Sequence, residues 1–419
     1  MDTQHRPTVE FDHHGPEYSQ DPWGTASELA NTCPVAWSEN HGGFWVVSGY
    51  DAVVEASRDA KLFSSRHDLP TGCTAFQGIN IPPAPGRYLP IELDPPEQLE
   101  WRRALGAMFA PGAVDAMKPL MHAYSDWALD QCIESGEIDF VMGLAAPVPA
   151  LVTLHLLGLP LSRWRTYAEM THAINYSSGD ERQRTFEMFD AMLGEIVVVA
   201  RERRENPTGD LLSLLATMEV AGQRLSDEDI ASACGTIVAG GIDTTAAVVA
   251  GALKHLGEHT EVRQRLIDDP ALIPQAMEEF LRFISPVTSL GRTAVSDTEL
   301  GGQQIKAGDR LILMWHGANM DASVFQNPTE LDIDRGAANH VTFGSGVHRC
   351  IGSRIARADI PIMLEHVLTR MPDYELVPGG AVRYPSIGVS NNYIAVPAIF
   401  TPGARVGVSP ELTEELASA

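Results

Sequence analysis

A chain of 419 residues with 55 acidic against 30 basic side chains, a formal net charge of −25, is a poor partner for nucleic acid or an anionic membrane surface. Its 44% of hydrophobic residues can supply a large core, and by length alone it would divide into roughly two or three domains. Five scattered cysteines, Cys33, Cys73, Cys132, Cys234 and Cys350, fit free thiols in a reducing compartment better than a disulfide framework.

The chain opens Met1-Asp2-Thr3-Gln4-His5, which begins no basic-then-apolar signal segment, so a cytoplasmic location is expected. Up to about Pro34 the text is polar and broken by prolines, an irregular lead-in over residues 1–34. Gly43 to Ser48 reads as a short strand, and a helix follows from Tyr50 with Ala52, Val53, Val54 and Ala56. Thr71 to Glu92 is rich in glycine and proline, and a long loop of this composition is usually functional or disordered, which suits a substrate lid. From Asp94 to about Leu281 the pattern is helical, punctuated at Pro111-Gly112, Ser135-Gly136, Pro160, Asn206-Pro207-Thr208-Gly209 and Asp269-Pro270. Val141 to Leu161 has about the length of a membrane span. Pro147, Pro149, His155 and Pro160 within it, and the lack of flanking anchors, make it a buried core helix instead. Alternation returns at Arg292 to Leu313 and at Tyr384 to Phe400, and the tail 401–419 shows no sustained apolar pattern and is expected to fray. No internal repeat or domain-length linker interrupts the chain.

The chemistry concentrates in Phe343-Gly344-Ser345-Gly346-Val347-His348-Arg349-Cys350-Ile351-Gly352. Glycines let backbone approach a flat macrocycle and turn sharply. An apolar Phe343 keeps water from a thiolate, free N–H groups hold its charge, and His348 and Arg349 add positive charge, His348 being well placed for the carboxylates of a cofactor. A helix from Ser353 would put Cys350 near a helix N-terminus. Zinc would want more ligands at short spacing, and the nearest other cysteine is Cys234. Gly344-x-Gly346 also fails the dinucleotide fingerprint, because Arg349 stands where its last glycine belongs.

A helix around Cys234 to Ala250 holds Ala239-Gly240-Gly241-Ile242-Asp243-Thr244-Thr245. Each mid-helix glycine costs about 1 kcal/mol relative to alanine, so the pair needs a reason. Leaving space over one face, into which the acid and hydroxyl project, is one; Asp243 and Thr244 bonding backbone and bending the helix is another. Glu279 and Arg282 stand three apart on one helix face among Phe280, Leu281, Phe283 and Ile284, which points to a buried pair.

The Phe-x-x-Gly-x-x-x-Cys-x-Gly pattern resembles the haem-ligand signature of the cytochrome P450 monooxygenases, and the likeness extends over nearly the whole chain. It implies one mainly α domain with small β-sheets, spanning 1–419, with haem b between the oxygen-binding helix and the Cys350 loop. By the same resemblance Cys350 ligates the iron, with Phe343, Gly346 and Gly352 shaping its loop. Gln98, Arg102, Arg292 and His348 hold the propionates, Gln98 standing where many members carry histidine. Thr244 hydrogen-bonds the activated dioxygen and Asp243 gates proton delivery, while Glu279, Arg282 and Arg335 form a structural network. Tyr88, Ile91, Ala239, Val287, Thr288 and Val389 fall at substrate-pocket positions. Asp94-Pro95-Pro96-Glu97-Gln98 and Gly240-Gly241-Ile242-Asp243-Thr244 bring the chain nearest the camphor-hydroxylase group, although Gly86 and Leu290 depart from it.

The implied activity is hydroxylation of a compact hydrophobe, terpenoid-like first, with steroid, polyketide or aromatic substrates as alternatives. O2 is one reactant, and NAD(P)H-derived electrons arrive through a separate ferredoxin and its reductase, because no flavin or second Cys-rich segment is evident. A peroxygenase or specialised oxidase on the same scaffold, and a non-catalytic haem sensor, are the competing functions. No nucleic acid, no membrane insertion and a monomer are expected.

Overall fold

Short apolar stretches at Val35–Ser38 and Phe44–Val47 form an antiparallel pair in which Trp37 faces Trp45, their rings 5.5 Å apart and edge-on. The turn between them depends on Gly43 at φ +98°, where a Cβ would lie 2.2 Å from the Trp37 ring. Three further strands, Arg310–Leu313, Leu290–Ala294 and Phe63–Ser64, extend the pair into a five-stranded sheet. The helix Tyr50–Arg58 packs Ala52, Val53 and Ala56 into the core that this sheet shares with Leu311, Leu313 and Trp315. The computed structural model describes residues 6–67, 77–84, 86–336 and 339–417.

This sheet belongs to the first of two units, made of Met1–Arg103, Leu281–Ile351 and Pro385–Asn391. The second unit, Ala104–Phe280, Gly352–Tyr384 and Asn392–Ala419, is dominated by helices Pro111–Asp130, Pro147–Leu157, Trp164–Tyr176, Gly179–Glu205, Asp227–Glu258 and Ser353–Arg370. It also holds a small antiparallel sheet of Glu375–Leu376, Pro397–Ile399 and Glu137–Asp139. The expectation of a mainly α fold with small sheets is met.

Asp227–Glu258 starts at a capping box, in which the Ser226 hydroxyl accepts from the Asp229 N–H and the Asp229 carboxylate accepts from the Ser226 N–H. Among the described residues it is the one helix long and apolar enough to cross a membrane, yet 67% of its most apolar window is buried inside the protein. The stretch singled out from sequence becomes a π-turn at Val141–Ala145 followed by the helix Pro147–Leu157, nearly all of it buried, as expected of a core helix.

Two expectations are corrected. The lead-in is not irregular: Pro16–Gln20 and Pro22–Thr32 are helices, each with proline in its first turn, where a missing N–H costs nothing, and the second is capped by Asp21 accepting from the Gly24 N–H. The tail likewise ends in a helix, Pro410–Ala417, that buries Leu416. Pro16 and Pro22, which look like breakers in the sequence, are helix starts in the fold.

Glu279 and Arg282 both lie on the helix Ile273–Ile284 and have no solvent exposure, which removes the reading of a surface pair. The Arg282 guanidinium donates to the carbonyls of Asn319 and Pro328 at 2.8 Å each and to that of Glu330 at 3.1 Å. The half-buried Arg335 donates to the same Glu330 carbonyl at 3.0 Å and also to the Gln326 carbonyl. The two arginines thus pin the segment leading to the cysteine loop. Arg282→Ala would leave the Asn319 and Pro328 carbonyls without their cationic donor, at about 1–3 kcal/mol for each buried acceptor left unsatisfied. Chemical denaturation should therefore show a lowered midpoint, with Arg282→Lys intermediate; an unchanged midpoint in both would refute the role.

Candidate functional site

The cysteine loop is set by backbone. Gly344 and Gly346 both adopt φ +69°, and the Cys350 N–H donates to the Phe343 carbonyl at 2.8 Å, closing the loop. At Gly346 a Cβ would sit 2.4 Å from the Ser57 carbonyl oxygen and 2.8 Å from the Arg58 Cα, so only glycine lets the loop rest on the end of Tyr50–Arg58. Arg58 Nε adds a bond to the Ser345 hydroxyl at 3.2 Å. The Cys350 side chain stays exposed, and two residues on, Gly352 is the N-cap of Ser353–Arg370.

Around this loop cationic groups crowd together. Desolvation first, then Arg292 and Arg102, push His348 down to about 3, so at neutral pH it is a neutral group and not the positive charge expected from sequence. Its Nε2 lies 3.1 Å from the Ser65 hydroxyl. Arg292 is buried and drawn down to about 10 by desolvation, with Asp94 opposing and Arg310 adding to the fall. The Arg102 guanidinium is also lowered, by desolvation against the opposing pull of Cys350. Gln98 donates from Nε2 to the Val347 carbonyl at 2.6 Å, while its Oε1 is buried without a hydrogen-bond partner among the described residues. Two desolvated arginines beside a histidine that they hold neutral favour an anionic partner. The paired carboxylates of a haem supply one, so Arg102, Arg292 and His348, with Cys350 as thiolate, fit that cofactor.

The long helix resolves the two glycines differently. A Cβ at Gly240 would meet nothing within 4 Å, whereas at Gly241 it would come 2.7 Å from the Thr153 hydroxyl. The first glycine opens a face and the second admits a neighbouring helix. The Thr244 hydroxyl donates to the Gly240 carbonyl at 2.7 Å, the back-bond that a mid-helix threonine commonly makes. Asp243 behaves otherwise. Buried, its Oδ1 accepts from the Tyr384 hydroxyl at 2.8 Å and from Asn392 Nδ2 at 2.8 Å, and its Oδ2 accepts from Asn175 Nδ2 at 3.2 Å. His172 Nδ1 is 3.3 Å from Oδ1. None of these partners was visible in sequence, because they stand 68 to 149 positions away with no motif to join them.

Of the pocket positions, Val287 and Val389 come together in a short antiparallel pairing, Val287 bridging Ser390 and the Thr288 N–H donating to the Val389 carbonyl at 3.1 Å. Thr288 itself is fully buried, its hydroxyl shared between the carbonyls of Ile387 and Gly388, so it anchors this pairing instead of facing a ligand. Ala239 lies on the long helix, half-buried. Tyr88 and Ile91 are half-buried in the glycine- and proline-rich loop, of which residues 71–76 and 85 lie outside the described residues. That loop has an unforeseen anchor: the buried Glu92 carboxylate accepts from the N–H groups of Ile79 and Tyr88, both at 2.8 Å. A Cβ at Gly78 would strike it at 1.9 Å.

Comparison with known proteins places this arrangement. The sequence profile of the cytochrome P450 family matches residues 161–372. The chain is 34% identical over 375 residues to a steroid C26-monooxygenase of Mycolicibacterium smegmatis (88% of this chain, 90% of the relative) and 31% identical over 368 residues to a linalool 8-monooxygenase of Pseudomonas putida (85% and 90%). A Mycobacterium marinum cytochrome P450 solved in complex with pseudoionone superposes with a TM-score of 0.85 at 27% identity, covering 95% of this chain and all of that one. The chain belongs to the cytochrome P450 family and is a haem-dependent monooxygenase. Haem b, O2 and electrons delivered by partner reductases come with that membership.

The depressed histidines carry a testable consequence. His348 and His13 fall to about 3 and His255 to about 4 in the fold, each chiefly through desolvation. The unfolded chain takes up these protons near its ordinary value of about 6.5, while the fold resists them until the lower values. Their contribution to stability is therefore present above about pH 6.5 and is lost as pH falls toward 3–4. Denaturation of the apoprotein between pH 7 and 4 should show a falling midpoint, less steep in His348→Gln; identical slopes would mean that His348 is not the desolvated group described.

Proposed function

We propose that this monooxygenase hydroxylates a compact isoprenoid hydrophobe, terpenoid-like first and steroid second, with electrons passed from a ferredoxin and its reductase to a monomeric, cytoplasmic protein in which the whole chain serves as one domain. The observation that carries the catalytic reading is the Cys350 loop, a thiol flanked by the desolvated guanidinium groups of Arg102 and Arg292. The relatives named for steroid and linalool oxidation, and the neighbour solved with pseudoionone, share isoprenoid ligands, which supports that substrate class. Half-buried Val287 and Val389 would receive such a ligand by apolar contact.

Haem, when bound, supplies the activation of dioxygen at an iron held by Cys350. The protein's part is positioning and proton supply. Arg102, Arg292, His348 and Gln98 would hold the carboxylates, and Phe343 shields the thiolate. Asp243 holds or releases a proton at its carboxylate. The Thr244 hydroxyl, while donating to Gly240, keeps lone pairs free to accept a further hydrogen bond.

Reduced protein under carbon monoxide should absorb at the thiolate-haem position, and Cys350→Ala should abolish that band; a normal band in the mutant would sink the ligand assignment. A panel of monoterpenoids, sesquiterpenoids and steroids should include compounds that shift the haem spin state, and a panel wholly without effect would defeat the substrate proposal.

Proton handling gives a separate test. Thr244→Ala should keep consuming NAD(P)H while releasing peroxide, and Asp243→Asn should slow dioxygen-supported turnover by about 10²-fold, with peroxide-supported turnover much less affected. Equal losses by both routes would show that these residues only shape the helix.

A further inference from the structure

We propose that His172 and Tyr384 form a proton relay that feeds Asp243. The inference rests on reading Asp243 as the proton-handling acid. Its basis is a hydrogen-bond chain whose direction can be worked out from its members. His172 stands on the helix Trp164–Tyr176, and Tyr384 directly follows the short strand Val382–Arg383. The Tyr384 hydroxyl lies 2.8 Å from Asp243 Oδ1 and 2.6 Å from His172 Nδ1. All three side chains are buried.

The shortest contacts of this chain favour one assignment of protons with Asp243 ionised. A carboxylate accepts and cannot donate, so the single Tyr384 hydroxyl proton points at Oδ1, beside the amide donors of Asn392 and Asn175. The Tyr384 oxygen is then left as an acceptor for His172, which requires the proton on Nδ1. A neutral ring with Nδ1–H has a bare Nε2. That Nε2 is buried and has no hydrogen-bond partner among the described residues. An acceptor of this kind calls for an ordered water or a proton.

The transfer balances. A proton arrives at Nε2, the Nδ1 proton passes to the Tyr384 oxygen, and the Tyr384 proton passes to Oδ1. One proton has entered and the carboxyl has gained one; once Asp243 hands it on, the Tyr384 hydroxyl turns back toward Oδ1, and loss of the Nε2 proton with return of one to Nδ1 resets the ring for the next transfer. Tyr384 never rests as an anion, because burial and the adjacent Asp243 raise its pKa well above the ordinary value, so it must gain a proton as it gives one. The longer 3.3 Å contact of Nδ1 with Oδ1 leaves the tyrosine as the better-aligned bridge.

Tyr384→Phe removes the bridging oxygen with little change in volume, and His172→Gln keeps a donor but cannot accept and release at two atoms. In haem-loaded protein, both should cut dioxygen-supported product formation by about 10²-fold and alter its solvent deuterium isotope effect, while peroxide-supported product and haem content stay near wild type. Independently of turnover, nitrogen NMR of 15N-histidine-labelled wild type in the diamagnetic reduced carbon-monoxide form should show His172 protonated at Nδ1 and bare at Nε2. A proton on Nε2 would overturn the relay. So would an isotope effect and turnover unchanged in Tyr384→Phe while Asp243→Asn remains slow, which would leave the role of Asp243 intact. Wild-type protein that makes product only from peroxide would instead overturn the reading of Asp243 on which the relay rests.

Discussion

A charge can be kept from water only where enough dipoles are aimed at it, and each unit of this protein is arranged around one such charge. In the first, the Arg282 guanidinium is enclosed by the carbonyls of Asn319, Pro328 and Glu330. In the second, the Asp243 carboxylate is enclosed by a hydroxyl and two amides. Both pull together segments distant in sequence, because an unmatched buried charge costs several kcal/mol and the chain has few ways of matching it. Arg282 organises the approach to the cysteine loop, and Asp243 gathers side chains whose chemistry permits proton exchange.

The two charges differ in what surrounds them. Carbonyl partners cannot exchange protons, so Arg282 is a fixed strut. Tyrosine and histidine can, so the same burial that stabilises Asp243 also connects it. The groups beside Cys350 form a third situation, in which Arg102 and Arg292 are desolvated and hold His348 neutral, with Cys350 and Asp94 as the negative charges that oppose their fall. Such a cluster is the complement that a carboxylate-bearing cofactor would want.

What sequence revealed follows the range over which its signals act. The Cys350 loop was legible because its glycines, aromatic residue and thiol are contiguous and each type has one conformational or chemical reason to be there. Glu279 and Arg282 were legible as buried because a single helical turn and its apolar neighbours carry the message. The N-terminal helices Pro16–Gln20 and Pro22–Thr32 were missed because proline at a helix start looks, without the fold, like proline in a loop. Glu92 was missed because its partners are N–H groups, which no side-chain pattern announces. His172 and Tyr384 were out of reach for a different reason: their meaning comes entirely from meeting Asp243, and nothing local requires them. The neutral state of His348 was likewise invisible, since it arises from desolvation and from arginines far away in sequence.

The contact beneath Gly346 has a mechanical side. With backbone of Ser57 and Arg58 directly under that glycine, the cysteine loop has no compressible side chain between it and the helix Tyr50–Arg58. Movement of that helix is passed to the loop without slack. The helix is in turn seated by Val53 and Ala56 in a core shared with Leu311, Leu313 and Trp315, packed at the density of a solid. The position of the sulfur is thus calibrated by a remote hydrophobic layer. A methylene added or lost there, far from any reacting atom, would detune the thiolate before it unfolded the protein.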